Sequence, residues 1–200
     1  STLLTKEKID KIEELTDFAP LHNPPAVTGM RACVTVMGEE VPQVAVFDTS
    51  FHQTMPDYAY MYALPYKYYL KHGIRKYGFH GTSHRYVSAR ATDFLMKKYP
   101  GKYNADELRV VTCHLGNGSS LSAVKDGKVC DTSMGLTPLD GFVMGTRCGG
   151  IDPSVVTYIM DKEGLTPEQM SNLMNKKSGF LGISGISSDN RDIEAAAQKG

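Results

Sequence analysis

Four separated stretches of the chain concentrate residue types that bind phosphate groups and metal ions. They are VFDTSFHQTMP at 46–56, YGFHGTSHRYV at 77–87, CHLGNGSS at 113–120 and GTRCGGIDP at 145–153. Each contains a carboxylate, an imidazole or a guanidinium, and three of them place it beside glycines. Because these groups and exposed backbone N–H groups bind oxyanions and metals, the sequence indicates phosphate chemistry.

Asp48 follows a short apolar run, Val44 to Phe47, which predicts a strand buried on both faces. Polar residues at the carboxyl ends of buried strands are where open α/β sheets bind their ligands. A carboxylate there offers an oxygen ligand to Mg²⁺. An Asp that only closes a turn explains this residue equally well when it is taken alone.

His80 lies directly before Gly81 and Thr82, where a helix is expected to begin. Its ring could face an anion that the N-terminus of the helix also attracts. For a single histidine, however, a structural role is the more common one. The other motifs are needed to decide between the two.

The turn HLGNGSS at 114–120 has the composition of a phosphate-binding loop. Glycines at 116 and 118 let N–H groups approach an oxyanion, and Asn117, Ser119 and Ser120 could add side-chain donors. It joins two predicted strands, so it is not the loop that precedes a helix in P-loop nucleotidases. The alternative is an ordinary hairpin, because Asn-Gly is common in hairpins that bind nothing.

Arg147 lies in the glycine-flanked loop MGTRCGGIDP at 144–153. A guanidinium in such a loop can form two parallel hydrogen bonds with a phosphoryl group. This motif is only moderately specific by itself.

The elements that must position these residues are helices and short strands. We predict an amphipathic helix over 5–18, a constrained loop at 19–29, and a helix from Ser83 or His84 to Pro100 whose apolar face is Val87, Ala91, Phe94 and Leu95. Residues 108–133 predict an antiparallel meander with positive-φ turns at Asn117-Gly118 and Asp126-Gly127. Helices follow at 153–163, 166–177 and 190–199, with an irregular stretch at 179–190. The chain is therefore a mixed α/β protein.

Composition excludes several classes of protein. Lys+Arg and Asp+Glu both number 22 among 200 residues, so no bulk field attracts the chain to nucleic acid or anionic lipid. The four cysteines are widely spaced and form no CxxC pair, which is typical of reduced thiols. No apolar run approaches the ~20 residues that span a bilayer, and the first residues do not show a basic region followed by an apolar stretch, so we expect neither secretion nor membrane insertion. We therefore expect a cytoplasmic protein without a membrane or nucleic-acid partner.

The motifs, together with DTSMGLTPLDG at 131–141, resemble the acetate kinases. The likeness runs from APLHNPP at 19–25 to SGISSDNRD at 184–192 and keeps the motifs in order. It implies an α/β, ribonuclease-H-like fold of the acetate and sugar kinase, heat-shock chaperone and actin superfamily. Residues 1–90 would be the end of the N-terminal acetokinase domain, and residues 91–200 the start of the C-terminal one.

The resemblance also implies roles for individual residues. Asp48 would be the Mg²⁺-associated carboxylate and a weak ligand of Mg²⁺ or Mn²⁺, and His80 and Arg147 would stabilise the phosphoryl group in transfer. The positions that match the ATP and phosphate loop are His114, Leu115, Gly116, Asn117 and Gly118. The positions that match the acetate pocket are Leu21, Phe79, Pro138 and the neighbouring Thr82.

The activity implied is the reversible, in-line transfer of the γ-phosphoryl group of ATP to acetate, which gives acetyl phosphate and ADP. The family also implies a homodimer. Two alternatives stay open: a propionate or butyrate kinase, and a catalytically inactive fragment that binds nucleotide. The second arises because the family's N-terminal phosphate turn, an Arg and a Mg²⁺-associated Glu have no counterpart here. In addition, Gly150 stands where the family usually has Asp.

Overall fold

The computed structural model describes residues 1–16, 19 and 22–200. Leu21, predicted to line the acetate pocket, and Phe18 of the predicted first helix lie outside the described residues. The chain divides into two compact units, Ser1–Ser50 and Phe51–Gly200. The predicted assignment of 1–90 and 91–200 to two acetokinase domains concerns the whole kinase and stays a prediction.

The first unit pairs two helices with a two-stranded sheet. Its elements are β1 Thr2–Leu3, α1 Lys6–Glu14, α2 Asn23–Met37 and β2 Val44–Ala45. The strands are antiparallel, and α1 packs on α2. Arg31 of α2 binds Asp10 and Glu13 of α1 at 3.1 and 2.6 Å, so ion pairs as well as buried Ile9 and Val27 hold the helices together.

Helix α2 was missed by the sequence prediction, which placed a loop at 19–29. Pro24 and Pro25 lie in its first turn. Backbone N–H groups in the first turn have no partner within a helix, so proline is tolerated there. The preceding helix, predicted over 5–18, ends earlier, at Glu14, and Pro24 and Pro25 instead begin the next one.

The predicted buried strand at 44–47 is wrong in length and in burial. β2 has two residues, and Val44, Val46 and Phe47 are 60%, 55% and 40% exposed. Its partner among the described residues is the two-residue β1, so no broad sheet covers these side chains. Asp48 follows this segment and is itself exposed.

The second unit is built on one antiparallel sheet and seven helices among its described elements. The helices are α3 Asp57–Tyr60, α4 Lys67–His72, α5 Gly81–Lys98, α6 Pro153–Glu163, α7 Pro167–Lys176, α8 Gly179–Ser184 and α9 Asn190–Ala197. Short 3₁₀ turns lie at Ser50–Thr54 and Ala105–Glu107. The predicted helices at 83–100, 153–163, 166–177 and 190–199 are confirmed, whereas α8 lies in the stretch predicted to be irregular.

The sheet confirms the predicted meander. Its strands are β3 Arg109–Leu115, β4 Ser119–Lys125 and β5 Lys128–Thr132, in the order β3-β4-β5. Because the β3–β4 register pairs His114 with Ser120 and Thr112 with Ser122, two polar pairs lie on neighbouring strands.

The buried face of α5 is polar, so the predicted apolar face is wrong. Val87 and Phe94 are 43% and 59% exposed, while Gly81, His84 and Ser88 are buried. α5 packs on β3, where Thr112 Oγ1 lies 2.7 Å from Nδ1 of His84. A hydrogen-bonded histidine therefore takes the place that an apolar side chain was expected to hold.

Candidate active site

His80 has an unusual backbone conformation at the start of α5. Its φ and ψ are 57° and 29°, and it is the N-cap of the helix. The left-handed region costs a non-glycine residue about 1–2 kcal/mol, and such residues cluster at functional sites. This conformation leads directly into Gly81, which is buried, so the first turn of α5 is fixed in the interior of the unit.

The ring of His80 is held along its edge and across its face. Its Nδ1 lies 2.7 Å from Oγ of Ser120. Its face stacks on His114, with ring centroids 4.0 Å apart and planes at 20°. His114 is fixed in turn, since its Nδ1 lies 2.9 Å from Oγ of Ser83. The two rings form a single, oriented pair.

Two of the predicted site residues, His80 and Arg147, meet at Gly118. A β-carbon at position 118 would lie 3.1 Å from Nη1 of Arg147 and 3.5 Å from Nε2 of His80. An imidazole nitrogen, a guanidinium and the backbone of the 116–118 turn therefore surround one point. Only a residue without a side chain leaves that space open for a ligand.

The guanidinium of Arg147 is partly buried and has no carboxylate partner in the described part of the chain. Its Nη1 donates a hydrogen bond to the carbonyl oxygen of Pro138 at 3.2 Å. Burial lowers the pKa of this guanidinium, yet an arginine stays cationic at neutral pH. Its acceptors in the described part of the chain are this carbonyl and the thioether sulfur of Met144 at 4.0 Å, both uncharged. A partly buried cation in such surroundings favours an anionic ligand.

The backbone around Arg147 is held from behind by α7 and α8. Phe180 and Leu181 donate their N–H groups to the carbonyls of Met144 and Gly145 at 2.9 and 3.0 Å. Gly179 packs so tightly there, with φ +65°, that a β-carbon would collide with the carbonyl oxygen of Met144. The first turn of α8 thus fixes the loop that carries the arginine.

The two serine hydroxyls of the 114–120 turn bond within the protein. The hydroxyl of Ser119 donates to the carbonyl of Gly116 at 2.8 Å, and Ser120 is fully buried against His80. Their predicted role as phosphate donors is therefore wrong. Asn117 lies against Gly145, where a β-carbon would collide with its amide oxygen. Leu115 is 73% exposed.

The residues predicted to line the acetate pocket differ in how deeply they are buried. Phe79 and Pro138 are partly buried, and Thr82 is exposed in the first turn of α5. The loop that carries Pro138 is held by Tyr62, whose hydroxyl accepts a hydrogen bond from the N–H of Leu136 at 2.9 Å. Burial, with a smaller contribution from a nearby carboxylate, raises the pKa of the Tyr62 phenol.

Gly150, which replaces the family's usual Asp, ties the loop of Arg147 to residue 141 by a backbone hydrogen bond. Its N–H donates to the carbonyl of Gly141 at 2.6 Å. A β-carbon at 150 would lie 3.1 Å from that oxygen and 3.5 Å from Oδ1 of Asp140. A carboxylate here would therefore start close to another carboxylate, and the glycine avoids this repulsion.

Asp48 is the predicted metal ligand, and it lies in the first unit. Within residues 1–16, 19 and 22–200, no group of three or more His, Cys, Asp or Glu side chains could hold a metal ion. Mg²⁺ bound with nucleotides often takes one or two carboxylates, phosphate oxygens and waters. The exposed Asp48 carboxylate suits one such position, but it does not form a metal site by itself.

The side chains that hold the ring of His80 in place were not predicted from the sequence. Ser120 and Ser83 bond the stacked rings of His80 and His114, and Ser120 and Thr112 bond the neighbouring His84. None of these contacts was predicted. One signal was available, because His80 and His84 are one helical turn apart.

A cavity of 740 Å³ lies elsewhere, in the first unit, between α1, α2 and residues 38–43. No described residue of the predicted site lines it. In the described part of the chain, no helix has both the length and the apolar character required to cross a bilayer.

Comparison with known proteins gives one consistent result. The Acetokinase family model matches residues 1–200. An acetate kinase from Caldanaerobacter subterraneus subsp. tengcongensis is 60% identical over 197 residues, which are 98% of this chain and 47% of that protein. The crystal structure of an acetate kinase from Porphyromonas gingivalis matches the whole chain with 51% identity and a TM-score of 0.87, and 48% of that structure is covered.

A propionate kinase from Francisella tularensis subsp. tularensis matches equally well. It is 50% identical over the whole chain, with a TM-score of 0.90 and 49% of that structure covered. These matches confirm the predicted α/β architecture of this group of kinases. The chain spans about half the length of the curated relatives it matches.

Proposed function

Since the chain belongs to the acetokinase family, we propose that the whole protein reversibly transfers the γ-phosphoryl group of ATP to acetate. The products are acetyl phosphate and ADP. In this proposal His80 and Arg147 are catalytic residues, and the turn from His114 to Gly118 binds the phosphates of the nucleotide.

The observation that supports this proposal is the meeting of His80, Arg147 and the turn backbone at Gly118. The ring of His80 stacks on His114, and the guanidinium of Arg147 donates to the carbonyl of Pro138, so both groups are fixed beside a position where only a glycine leaves room for a ligand. Preorganised donors that face developing charge contribute about 3 kcal/mol each to transition-state stabilisation. Phosphoryl transfer depends almost entirely on such positioning and charge.

We infer that an oxygen of acetate attacks the γ-phosphorus directly, in line with the leaving ADP. The P–O bond to ADP breaks as the bond to acetate forms, so no phosphoenzyme arises. Arg147 stabilises the equatorial oxygens with parallel N–H groups, and His80 does so through Nε2, which lies beside the same glycine. Mg²⁺ or Mn²⁺, with Asp48 as one ligand, would neutralise negative charge on the phosphates when it is bound.

Phe79, Pro138, Leu21 and Thr82 are the residues proposed to surround the acyl group. The match to a propionate kinase favours a second candidate substrate with one more methylene. A pocket discriminates one methylene by only about 1–3 kcal/mol, so both acids are candidate substrates and acetate is the proposed one.

We further propose that the whole protein is a homodimer, by analogy with the family. We place it in the cytoplasm, because all four cysteines are unpaired thiols. Because the chain spans about half of its relatives, the 200-residue chain alone is proposed to be inactive.

The test is an acyl-phosphate assay with hydroxylamine on the 200-residue chain and on the full-length product of its gene. The full-length protein should form acetyl phosphate from ATP, and propionyl phosphate with lower kcat/KM. No acyl phosphate from either acid would refute the proposed function. Turnover by the 200-residue chain would refute its proposed inactivity, and a phosphorylated enzyme on the turnover path would refute direct transfer.

A further inference from the structure

The hydroxyl of Ser120 joins two histidine rings on the inner side of the site. Oγ lies 2.7 Å from Nδ1 of His80 and 2.7 Å from Nε2 of His84. Ser120 is 0% exposed and His84 is 1% exposed. Because a buried hydrogen bond is not replaced by water when it is lost, these contacts strongly constrain both rings.

A hydroxyl has one hydrogen, so Ser120 can donate to only one of the two rings. The other ring must donate its own N–H to the serine oxygen. The protonation sites of His80 and His84 are therefore linked through Ser120.

Thr112 determines the direction of this chain of hydrogen bonds. Its Oγ1 lies 2.7 Å from Nδ1 of His84 but 3.4 Å from the carbonyl oxygen of Ser122. The longer contact lies outside the usual range for O–H···O bonds, so the threonine hydrogen goes to His84. A neutral His84 then carries its hydrogen on Nε2 and donates it to Ser120.

Ser120 is then left to donate to Nδ1 of His80. A neutral His80 consequently carries its hydrogen on Nε2, the atom that lies 3.5 Å from the β-carbon position of Gly118. The chain of donors runs from Thr112 through His84 and Ser120 to His80, and it ends with an N–H group directed at the proposed phosphoryl site.

We propose that Ser120 is a positioning residue, which orients His80 and keeps its hydrogen on Nε2. This inference rests on the proposed function, because it assigns His80 a donor role toward a phosphoryl oxygen. Ser120 does not touch the substrate in this proposal and acts only through His80.

The chain offers a matched control in Ser122. It lies two residues further along β4, is also 0% exposed, and its Oγ lies 2.9 Å from Nε2 of a different histidine, His52. Ser120→Ala and Ser122→Ala each remove one buried hydroxyl bonded to a histidine. Only Ser120→Ala should affect His80.

The first experiment measures the tautomers of the histidines in the 200-residue chain by long-range ¹H–¹⁵N spectra at alkaline pH. In the unaltered chain, His80 and His84 should each show a single Nε2–H tautomer. In Ser120→Ala the His80 signals should move toward the average of two tautomers, while Ser122→Ala should leave them unchanged. This readout does not depend on kinase activity, so it tests the inference even if the proposed function fails.

The second experiment measures kcat and KM in the full-length protein. Ser120→Ala should lower kcat about 10- to 100-fold with little change in KM, the size of effect found for groups that orient metal-binding histidines. Ser122→Ala should change kcat less than about 3-fold. In a His80→Ala background, Ser120→Ala should have no further effect on kcat, because the residue it positions is absent.

Several results would overturn the inference. They are an unchanged His80 spectrum in Ser120→Ala, equal losses of kcat in Ser120→Ala and Ser122→Ala, and additive losses in the double variant. If Ser120→Ala does not fold, the unaltered chain still decides: an averaged or Nδ1–H signal at His80 or His84 contradicts the proposed chain of donors.

Discussion

The two turns of the meander carry similar dipeptides but use glycine for different reasons. In the β4–β5 turn, Asp126 and Gly127 have φ of 52° and 68°, and a β-carbon at 127 would have no atom within 4 Å. In the β3–β4 turn, neither Asn117 nor Gly118 has a positive φ. There the glycine at 118 leaves space beside His80 and Arg147.

This difference separates a folding requirement from a functional one. Glycine at 127 permits a left-handed backbone that a tight hairpin needs. Glycine at 118 does not have a positive φ, so the glycine is needed there because a side chain would fill the space beside His80 and Arg147. The predicted positive-φ turn is therefore confirmed at Asp126-Gly127 and wrong at Asn117-Gly118, although the second turn is the one at the candidate site.

The largest effect should come from removing the cation that the β3–β4 turn faces. In the full-length protein, Arg147→Ala should lower kcat about 10³-fold, since a guanidinium that stabilises a transferring phosphoryl group contributes at least this much. Steady-state acyl-phosphate assays measure it. Arg90→Ala, which removes an exposed arginine of α5 paired with Asp93, is the control and should change kcat less than about 2-fold. A loss of kcat below 10-fold for Arg147→Ala would contradict a catalytic role for the arginine that faces this turn.

A smaller effect should come from filling the space at the β3–β4 turn. Gly118→Ala places a methyl group 3.1 Å from Nη1 of Arg147, so either the guanidinium moves or the phosphoryl group is displaced. We expect kcat to fall about 10²-fold, as displacements of about 1 Å can produce, with a change in Tm of only a few degrees. Full activity in this variant would contradict the functional role of the glycine.

The smallest effect on activity should come from the matching change in the other turn. Gly127→Ala meets no neighbouring atom but forces an alanine to φ near +68°, which costs about 1–2 kcal/mol. Denaturant unfolding of the 200-residue chain should show this loss of stability, whereas kcat of the folded full-length protein should stay within 2-fold. A large loss of kcat with normal stability would contradict the claim that glycine at 127 serves only the folding of its turn.

Elements with strong local signals could be predicted from the sequence. The helices predicted at 153–163 and 166–177 form at Pro153–Glu163 and Pro167–Lys176, and a capping box at Thr166 and Gln169 begins the second. β-branched runs and turn dipeptides located the meander. In these segments the local preference and the tertiary structure agree.

The sequence-based predictions were wrong where contacts between distant parts of the chain determine which residues are buried. The burial of His84 depends on polar partners in two strands, Thr112 in β3 and Ser120 in β4, which are 28 and 36 residues away along the chain. α2 was missed because Pro24 and Pro25 were taken only as a break. For the candidate site, the motifs identified His80, Arg147 and Gly118. Ser83 and Thr112 gave no comparable local signal, and Ser120 was predicted to contact phosphate, whereas it contacts His80 and His84.

The tight packing of Gly179 against the loop of Arg147 has a practical consequence for protein engineering. A graft of the motif GTRCGGIDP onto another scaffold would lack the six residues of α8 that fix its backbone from behind. The arginine would then sample many orientations, and its contribution would shrink. A transplant that keeps this site therefore has to include the segment from Asn175 to Leu181, although no residue of that segment belongs to a recognised motif.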